Sequence, residues 1–278
     1  IPFSFKENND MSYLILKLKK KLIFRLNLSA IVSDKIKNKQ NNLKNINIFY
    51  GNEEKKLSDF FSFQGKLNKG IVFKGNLSKC DYIGDSMKEG EIIVNGNVGE
   101  YLGNKMENGK IIINGSSGNF TACSLKGGDI LIKKNVGDYL GSPNQEEKIG
   151  MSGGRVFVKG QAGNRLAFKM RAGVIFVKGD VKNYIASQMI AGTIIINGKI
   201  GSNLGLLMKR GTIILKKKCI LSSCFQYSGK NNYLFLKISQ FYLEKLNSKF
   251  KNIFPDTYTV KFVGDTSCGG KGEVLILN

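Results

Sequence analysis

Short apolar runs return along the chain at a fixed interval. Ile92–Val94, Ile111–Ile113, Ile130–Ile132, Val156–Val158, Ile175–Val177, Ile194–Ile196 and Ile213–Leu215 each follow a glycine by two positions. That glycine column is Gly90, Gly109, Gly128, Gly154, Gly173, Gly192 and Gly211, and three residues before each stands Met87, Met106, Leu125, Met151, Met170, Met189 or Met208. Successive glycines are 19 residues apart except between Gly128 and Gly154, where the step of 26 marks an insertion of seven, Pro143–Ile149. Runs of about four β-branched residues are strands, too short for helices. A 19-residue unit with one such strand and several glycine bends makes one coil of a solenoid. The pattern therefore predicts a mainly β chain of about seven coils, a parallel β-helix or a close relative of it, with equivalent residues stacked about 4.8 Å apart. The methionine column reads as flexible core filling.

Alternation within each strand splits the apolar positions. Ile92 and Val94 with their equivalents share one side, while Ile93, Ile112, Leu131, Phe157, Phe176, Ile195 and Ile214 point the other way. The solenoid is thus expected to carry an apolar stripe outside, which something must cover. Residues Asn231–Phe254 have the spacing of an amphipathic helix that Pro255 stops. At 1.5 Å per residue that helix spans about 36 Å, against about 34 Å for seven coils. Flanking elements are a hairpin from Ser12–Leu18 and Ile23–Leu28, a polar linker over Asp34–Asn45, a strand at Ile46–Tyr50, and tail strands at Thr257–Val263 and Glu273–Leu277. Three regions follow: 1–74 as an N-terminal β region and linker, 75–217 as the repeats, and 218–278 as the C-terminal helix and tail strands.

Composition narrows the chemistry. The 278 residues include 33 Gly, 3 Pro, no Trp and no His. Without His the chain has no Ser-His-Asp or Cys-His machinery, no His-ligated metal and no His proton shuttle. Cys80, Cys123, Cys219, Cys224 and Cys268 form no CxxC pair and read as reduced, packed thiols of a cytoplasmic protein. The formal net charge is +22, yet only five of the 43 basic residues are Arg. With Asn and Ile also abundant, the excess reads first as compositional drift, and no nucleic-acid partner is expected. No apolar run approaches 18 residues, so no membrane span is expected. The N-terminus lacks a signal-peptide core, and Met11 is a candidate start.

Candidate chemistry is sparse. The tail loop Gly264–Gly272 has glycines spaced as in a phosphate loop, but Gly270 stands where Lys is required and Gly272 where Ser or Thr is. It is expected to be a tight structural loop. Asp265 and Glu273 are expected to satisfy backbone amides there, with no partner carboxylate for acid–base work. Arginine is more informative: where Lys is so favoured, a retained Arg points to use of its planar fork. Arg155, Arg165, Arg171 and Arg210 all lie in the later repeats and are candidate contacts for carboxylates on a partner or an acidic carrier. No catalytic residue and no metal ligand is assigned.

Several segments resemble a known family. The glycine-rich repeats are similar to those of the C subunit of formylmethanofuran dehydrogenase and, more distantly, to the C-terminal domain of glutamate synthase large subunits. NYIASQMIAGTIII (Asn183–Ile196), FRLNLS (Phe24–Ser29), KLSDFFSFQG (Lys56–Gly65), GMSGG (Gly150–Gly154) and GDTSCGGKGEVL (Gly264–Leu275) resemble the bacterial branch, the C subunit of the formyltransferase/hydrolase complex of methylotrophs. Lys134 and Lys217 depart from that pattern by replacing glycines. The resemblance implies a right-handed β-helix and a non-catalytic, scaffolding subunit in the cytoplasm. The implied complex takes formyl from formyl-tetrahydromethanopterin through a methanofuran-type carrier to formate. Implied partners are an amidohydrolase-like subunit that holds the metals, a formyltransferase subunit and a dehydrogenase-B-like subunit. A polyglutamate chain on the carrier is a further candidate partner for the basic surface, and no cofactor is expected on this chain itself. Two other readings stay open: the C subunit of a tungsten or molybdenum formylmethanofuran dehydrogenase, and a glutamate-synthase-like domain-coupling module.

Overall fold

The computed structural model describes residues 12–233, 236, 240 and 258–277. In chain order the elements are β1 (Tyr13–Leu18), β2 (Leu26–Asn27), α1 (Ser33–Ile36), a 3-10 helix (Lys37–Asn45), β3 (Asn47–Tyr50), β4 (Glu53–Lys56), β5 (Phe61–Gln64), β6 (Gly70–Lys74) and β7 (Cys80–Asp81). The repeats supply β8 (Glu91–Asn95), β9 (Lys110–Ile113), β10 (Asp129–Ile132), β11 (Ser152–Val158), β12 (Ala172–Val177), β13 (Thr193–Ile196) and β14 (Arg210–Leu215). The tail supplies β15 (Gln226–Asn231), β16 (Thr259–Gly264) and β17 (Lys271–Leu277).

All seven repeat strands lie side by side in one sheet, parallel and in register, so that Ile92, Ile111, Ile130, Val156, Ile175, Ile194 and Ile213 form one row. The sheet does not stop there. On one side β6, β1 and β5 extend it, and on the other β17, β16 and β15, to thirteen strands. A second row of parallel pairing runs through Leu77–Val98, Ser117–Val136, Ala162–Val181 and Val181–Ile200, again mostly one repeat apart.

Both apolar faces of the sheet are buried. One cluster holds the Ile92 and Val94 rows with Met87, Met106, Leu125, Met151, Met170, Met189 and Met208, these seven all at 0% exposure. The other holds Val72, Ile93, Ile112, Leu131, Phe157, Phe176, Ile195, Ile214 and Leu275. The stripe expected to need a cover is therefore covered, and Tyr233 and Leu236 pack on it. The amphipathic helix expected over Asn231–Phe254 otherwise lies outside the described residues, and its first residue, Asn231, ends β15 instead.

Methionine and glycine columns belong together. A Cβ on Gly109 would lie 2.7 Å from the Met87 Cε, and one on Gly173 2.6 Å from the Met151 Cε. Both glycines also have positive φ, +97° and +100°. Each methionine methyl thus fills the space that a side chain on the next repeat's glycine would need.

The N-terminal region departs from expectation. No hairpin joins Ser12–Leu18 to Ile23–Leu28, because β1 pairs parallel with β6 and antiparallel with β5, whereas β2 joins a separate sheet ordered β4-β3-β2-β7. The apolar alternation of β1 is better satisfied by burial in the main sheet than by pairing with its chain neighbour. Asp34–Asn45 is not a linker but short helical turns, anchored by buried Ile36 and Leu43. Among the described residues no helix is long and apolar enough to cross a membrane.

Candidate functional site: the stacked corner and its closures

Opposite the strands, each repeat turns through residues in left-handed conformation at alternate positions. The first row is Tyr82, Tyr101, Phe120, Tyr139, Arg165, Tyr184 and Asn203; the second is Gly84, Gly103, Ala122, Gly141, Ala167, Ala186 and Gly205; the third includes Ser86, Lys105, Ser124, Lys169, Gln188 and Leu207. Most of these are not glycine, so neighbours must hold the conformation. Interlocking hydrogen bonds do so. Tyr101 N–H donates forward to the Asn119 carbonyl (3.1 Å), Gly103 N–H backward to Ile83 (2.8 Å), and Lys105 N–H forward to Cys123 (2.8 Å). Side chains add a parallel ladder: Asp81 accepts from the Glu100 amide (2.8 Å), Asn119 from Asp138 (2.9 Å), Asp138 from Asn164 (2.7 Å) and Asn183 from Ser202 (2.9 Å).

Register makes this corner an aromatic stack. Tyr82, Tyr101, Phe120 and Tyr139 lie face to face, with centroids 4.7, 5.0 and 4.8 Å apart and planes within 9° of parallel. Arg165 continues the row in place of a ring, its guanidinium 5.9 Å from the Tyr139 centroid and 5.1 Å from that of Tyr184. The inserted segment 143–149 folds back over the stack. Asn144 donates to Asn104 Oδ1 (3.2 Å), Glu146 pairs with Lys105 (2.7 Å), and Ser124 Oγ donates to the Ile149 carbonyl (3.2 Å). Between insert and rings lies a cavity of about 110 Å³ lined by Tyr82, Tyr101, Asn104, Asn144, Gln145 and Glu146.

Its electrostatics suit holding, not bond making. Burial, helped by Asp81 and Asp85, raises the Tyr82 hydroxyl's pKa; burial acts likewise on Tyr101. Burial pushes the Cys123 thiol up to about 12 and also raises Cys80. Phenols and thiols here stay protonated at neutral pH, which removes the nucleophile that thiolate chemistry needs. Among the described residues, no group of three His, Cys, Asp or Glu side chains is placed to hold a metal ion.

Two closures end the corner. At its start the Arg25 guanidinium grips Asp81 (2.6 and 2.9 Å) and reaches Glu100 (3.3 Å), which raises the arginine's pKa chiefly through the Asp81 hydrogen bond. At its end Leu207 N–H, which in earlier repeats meets the next repeat's carbonyl, meets the buried carboxylate of Asp265 (2.9 Å). Asp265 also accepts from Ser267 N–H (2.9 Å) and Ser267 Oγ (2.5 Å), and its own N–H donates to the Met208 carbonyl (3.4 Å). One residue thereby stands in for a missing repeat. Burial works against its ionisation, but the hydrogen bonds from Ser267, Leu207 and Cys224 together hold its pKa below the usual range. Asp265 thus meets the amides expected of it. Glu273 does not: it accepts from the Thr212 hydroxyl (2.6 Å) and pairs with Lys261 (2.8 Å).

The four later arginines are not gathered into one site. Arg155 is committed to Asp129 through two contacts of 2.6 and 2.7 Å. Arg165 sits in the aromatic row, while Arg171 and exposed Arg210 lie at the strand side of their repeats, Arg210 in register with Lys271. Sequence reasoning missed the aromatic row, although the 19-residue spacing of Tyr82, Tyr101, Phe120 and Tyr139 was the signal that marks it.

A family model described as GXGXG motif matches residues 28–224. The C subunit of the tungsten-containing formylmethanofuran dehydrogenase 2 of Methanothermobacter marburgensis is 43% identical over 61 residues, which is 20% of this chain and 23% of that relative's length. Its counterpart in Methanothermobacter wolfeii matches with the same identity and shares. Among solved structures, a chain of the formyltransferase/hydrolase complex (FhcABCD) of Methylorubrum extorquens, crystallised with methylofuran, superposes with a TM-score of 0.86 at 28% identity. That match covers 95% of this chain and 99% of the other.

Proposed function

The chain belongs to the GXGXG motif family, and from that premise we propose that it is the C subunit of a formyltransferase/hydrolase complex, serving assembly and not catalysis. The observation that carries this reading is the near end-to-end likeness, 95% against 99%, to one chain of such a complex. In this reading its strands wind as a right-handed parallel β-helix, supported by two separate rows of parallel pairing with the same repeat offset. Tyr233 and Leu236 pack on the apolar stripe of the sheet.

The complex would take formyl from formyl-tetrahydromethanopterin by way of a methanofuran-type carrier to formate, in the cytoplasm. Formyl transfer and hydrolysis would be done by formyltransferase and amidohydrolase-like partners, alongside a dehydrogenase-B-like subunit. What this chain's residues do is hold shape: the corner ladders and Met–Gly rows make a stiff rod. Arg171 and Arg210 are the arginines proposed to meet carboxylates of a partner or of the carrier, since Arg155 is engaged with Asp129.

The test is isolation of the native complex with identification of its co-purifying subunits, followed by formate release from formyl-tetrahydromethanopterin with and without this chain. Recovery with formyltransferase and amidohydrolase-like subunits is expected, with activity lost when the chain is withheld. A chain recovered alone overturns the reading. The short, 43% identical match to tungsten-containing enzymes favours a second reading, the C subunit of a formylmethanofuran dehydrogenase; a co-purifying metal–pterin subunit would select it.

A further inference from the structure

One row of strand-end positions is rich in lysine. Lys17 pairs in register with Lys74 and Lys74 with Asn95. The residues that follow the next strands continue this row through Asn114, Lys133, Lys159, Lys178, Asn197 and Lys216, each N–H donating to the strand before it. Six of nine positions are lysine and none is acidic. At about 4.8 Å per step the row is about 38 Å long. Lys134 and Lys217, which replace glycines of the repeat, flank it. A lysine-bearing concavity lies at each end. One of about 370 Å³ is lined by Lys19, Lys20, Lys21 and Lys79 among others, and one of about 660 Å³ by Lys199, Lys217 and Lys218 among others.

Compositional drift does not account for this arrangement. Drift scatters lysine over every exposed position, yet the row at the opposite end of the same strands alternates Glu91, Lys110, Asp129 and Arg155, with pairs at 3.3 and 2.6 Å. The aromatic corner likewise carries Asp81, Asp85, Glu100 and Asp138. Within the pair Lys17–Lys74 and the run Lys133–Lys159–Lys178, neighbours stand about 4.8 Å apart, inside the Debye length of about 8 Å, so their potentials add.

We infer that this lysine edge is a docking surface for an acidic face of a partner protein, which on the reading above is another subunit of the same complex. A nucleic acid fits it poorly. The row has no arginine for bidentate phosphate contact and no aromatic ring on which a base would stack. Its interspersed Asn95, Asn114 and Asn197 offer both donors and acceptors, as a polar protein interface does.

The test compares two triple charge reversals in the full chain, co-expressed with the other subunits and recovered through a tag on this one. Lys133→Glu with Lys178→Glu and Lys216→Glu lies on the edge; Lys66→Glu with Lys88→Glu and Lys209→Glu changes the net charge equally elsewhere. Equal thermal melts establish that both fold. The edge variant is expected to retain less than a tenth of the wild-type partner subunits, the control nearly all, and the wild-type complex to loosen as salt rises from 0.1 to 0.5 M. Full assembly of the edge variant, or equal loss in both, overturns the inference while leaving the subunit reading intact. Assembly intact with loss of bound RNA only overturns it in favour of a nucleic acid. A wild-type chain that recovers no subunit overturns both.

Discussion

Asp265 is the residue on which the end of the repeat stack turns. Its carboxylate takes the amide of Leu207, for which no following repeat supplies a carbonyl. Hydrogen bonds to a buried charged group are worth about 1.5–3 kcal/mol, so Asp265→Ala is expected to destabilise by about that much in denaturant unfolding. The sign with pH follows from its depressed pKa. Stabilisation is fully present above the unfolded value near 4 and is lost as pH falls through the folded one. Melting temperatures of wild type and Asp265→Asn measured from pH 7 to pH 2 should converge at the acid end; a constant gap would count against this role. Glycines offer a second comparison at this scale. Gly109→Ala meets both a positive φ and the Met87 methyl, whereas Gly269, at φ +94°, has nothing within 4 Å. Gly269→Ala is expected to cost about 1 kcal/mol and Gly109→Ala about 1–3 kcal/mol more, read from urea midpoints.

Elements here are single repeats, and the one irregular repeat is the instructive case. The insertion adds seven residues without shifting register, since Ile130 still faces Val156 across β10 and β11. Deleting 143–149 is therefore expected to leave the far-ultraviolet circular dichroism of the sheet unchanged. It removes the Pro143 carbonyl that accepts from the Cys123 thiol (3.5 Å) and with it part of the cover that keeps this thiol protonated. Labelling with a thiol reagent under native conditions should show Cys123 protected in the full chain and reactive in the deletion. The insertion was legible as a broken interval in the glycine column, but its fold over Tyr82 and Tyr101 was not. That placement depends on Asn104 and Lys105, two repeats earlier and some 40 residues away in sequence.

For the whole molecule, the decisive matter is how an open-ended stack is closed. Parallel strands in register leave a row of unpaired backbone groups at each end, a template for aggregation. Here β1 and β5 close one end, and β17, β16 and β15 the other, with antiparallel pairing taking over beyond β1 and β17. A chain truncated after Lys217 loses that second closure. It is expected to elute as higher oligomers or precipitate, whereas the full chain elutes as one species in size-exclusion chromatography.

What the sequence by itself determined is everything that repeats. A 19-residue interval imposes the same local choice seven times, so strand, glycine, methionine and insertion could be read from one line of residues. The two-faced burial followed from alternation, because side chains of a strand have only two directions to take. Family membership was legible in the same repeats and in their flanking segments. Only the tertiary structure decided what happens once per molecule. The partner of β1, the helical turns of Asp34–Asn45, the grip of Arg25 on Asp81 and the substitution of Asp265 for a missing repeat all join residues far apart in sequence. No periodicity encodes such contacts. The separation of Arg155, Arg165, Arg171 and Arg210 into different surroundings was decided there too, since what each one meets is set by its neighbours in the stack and not by residue type.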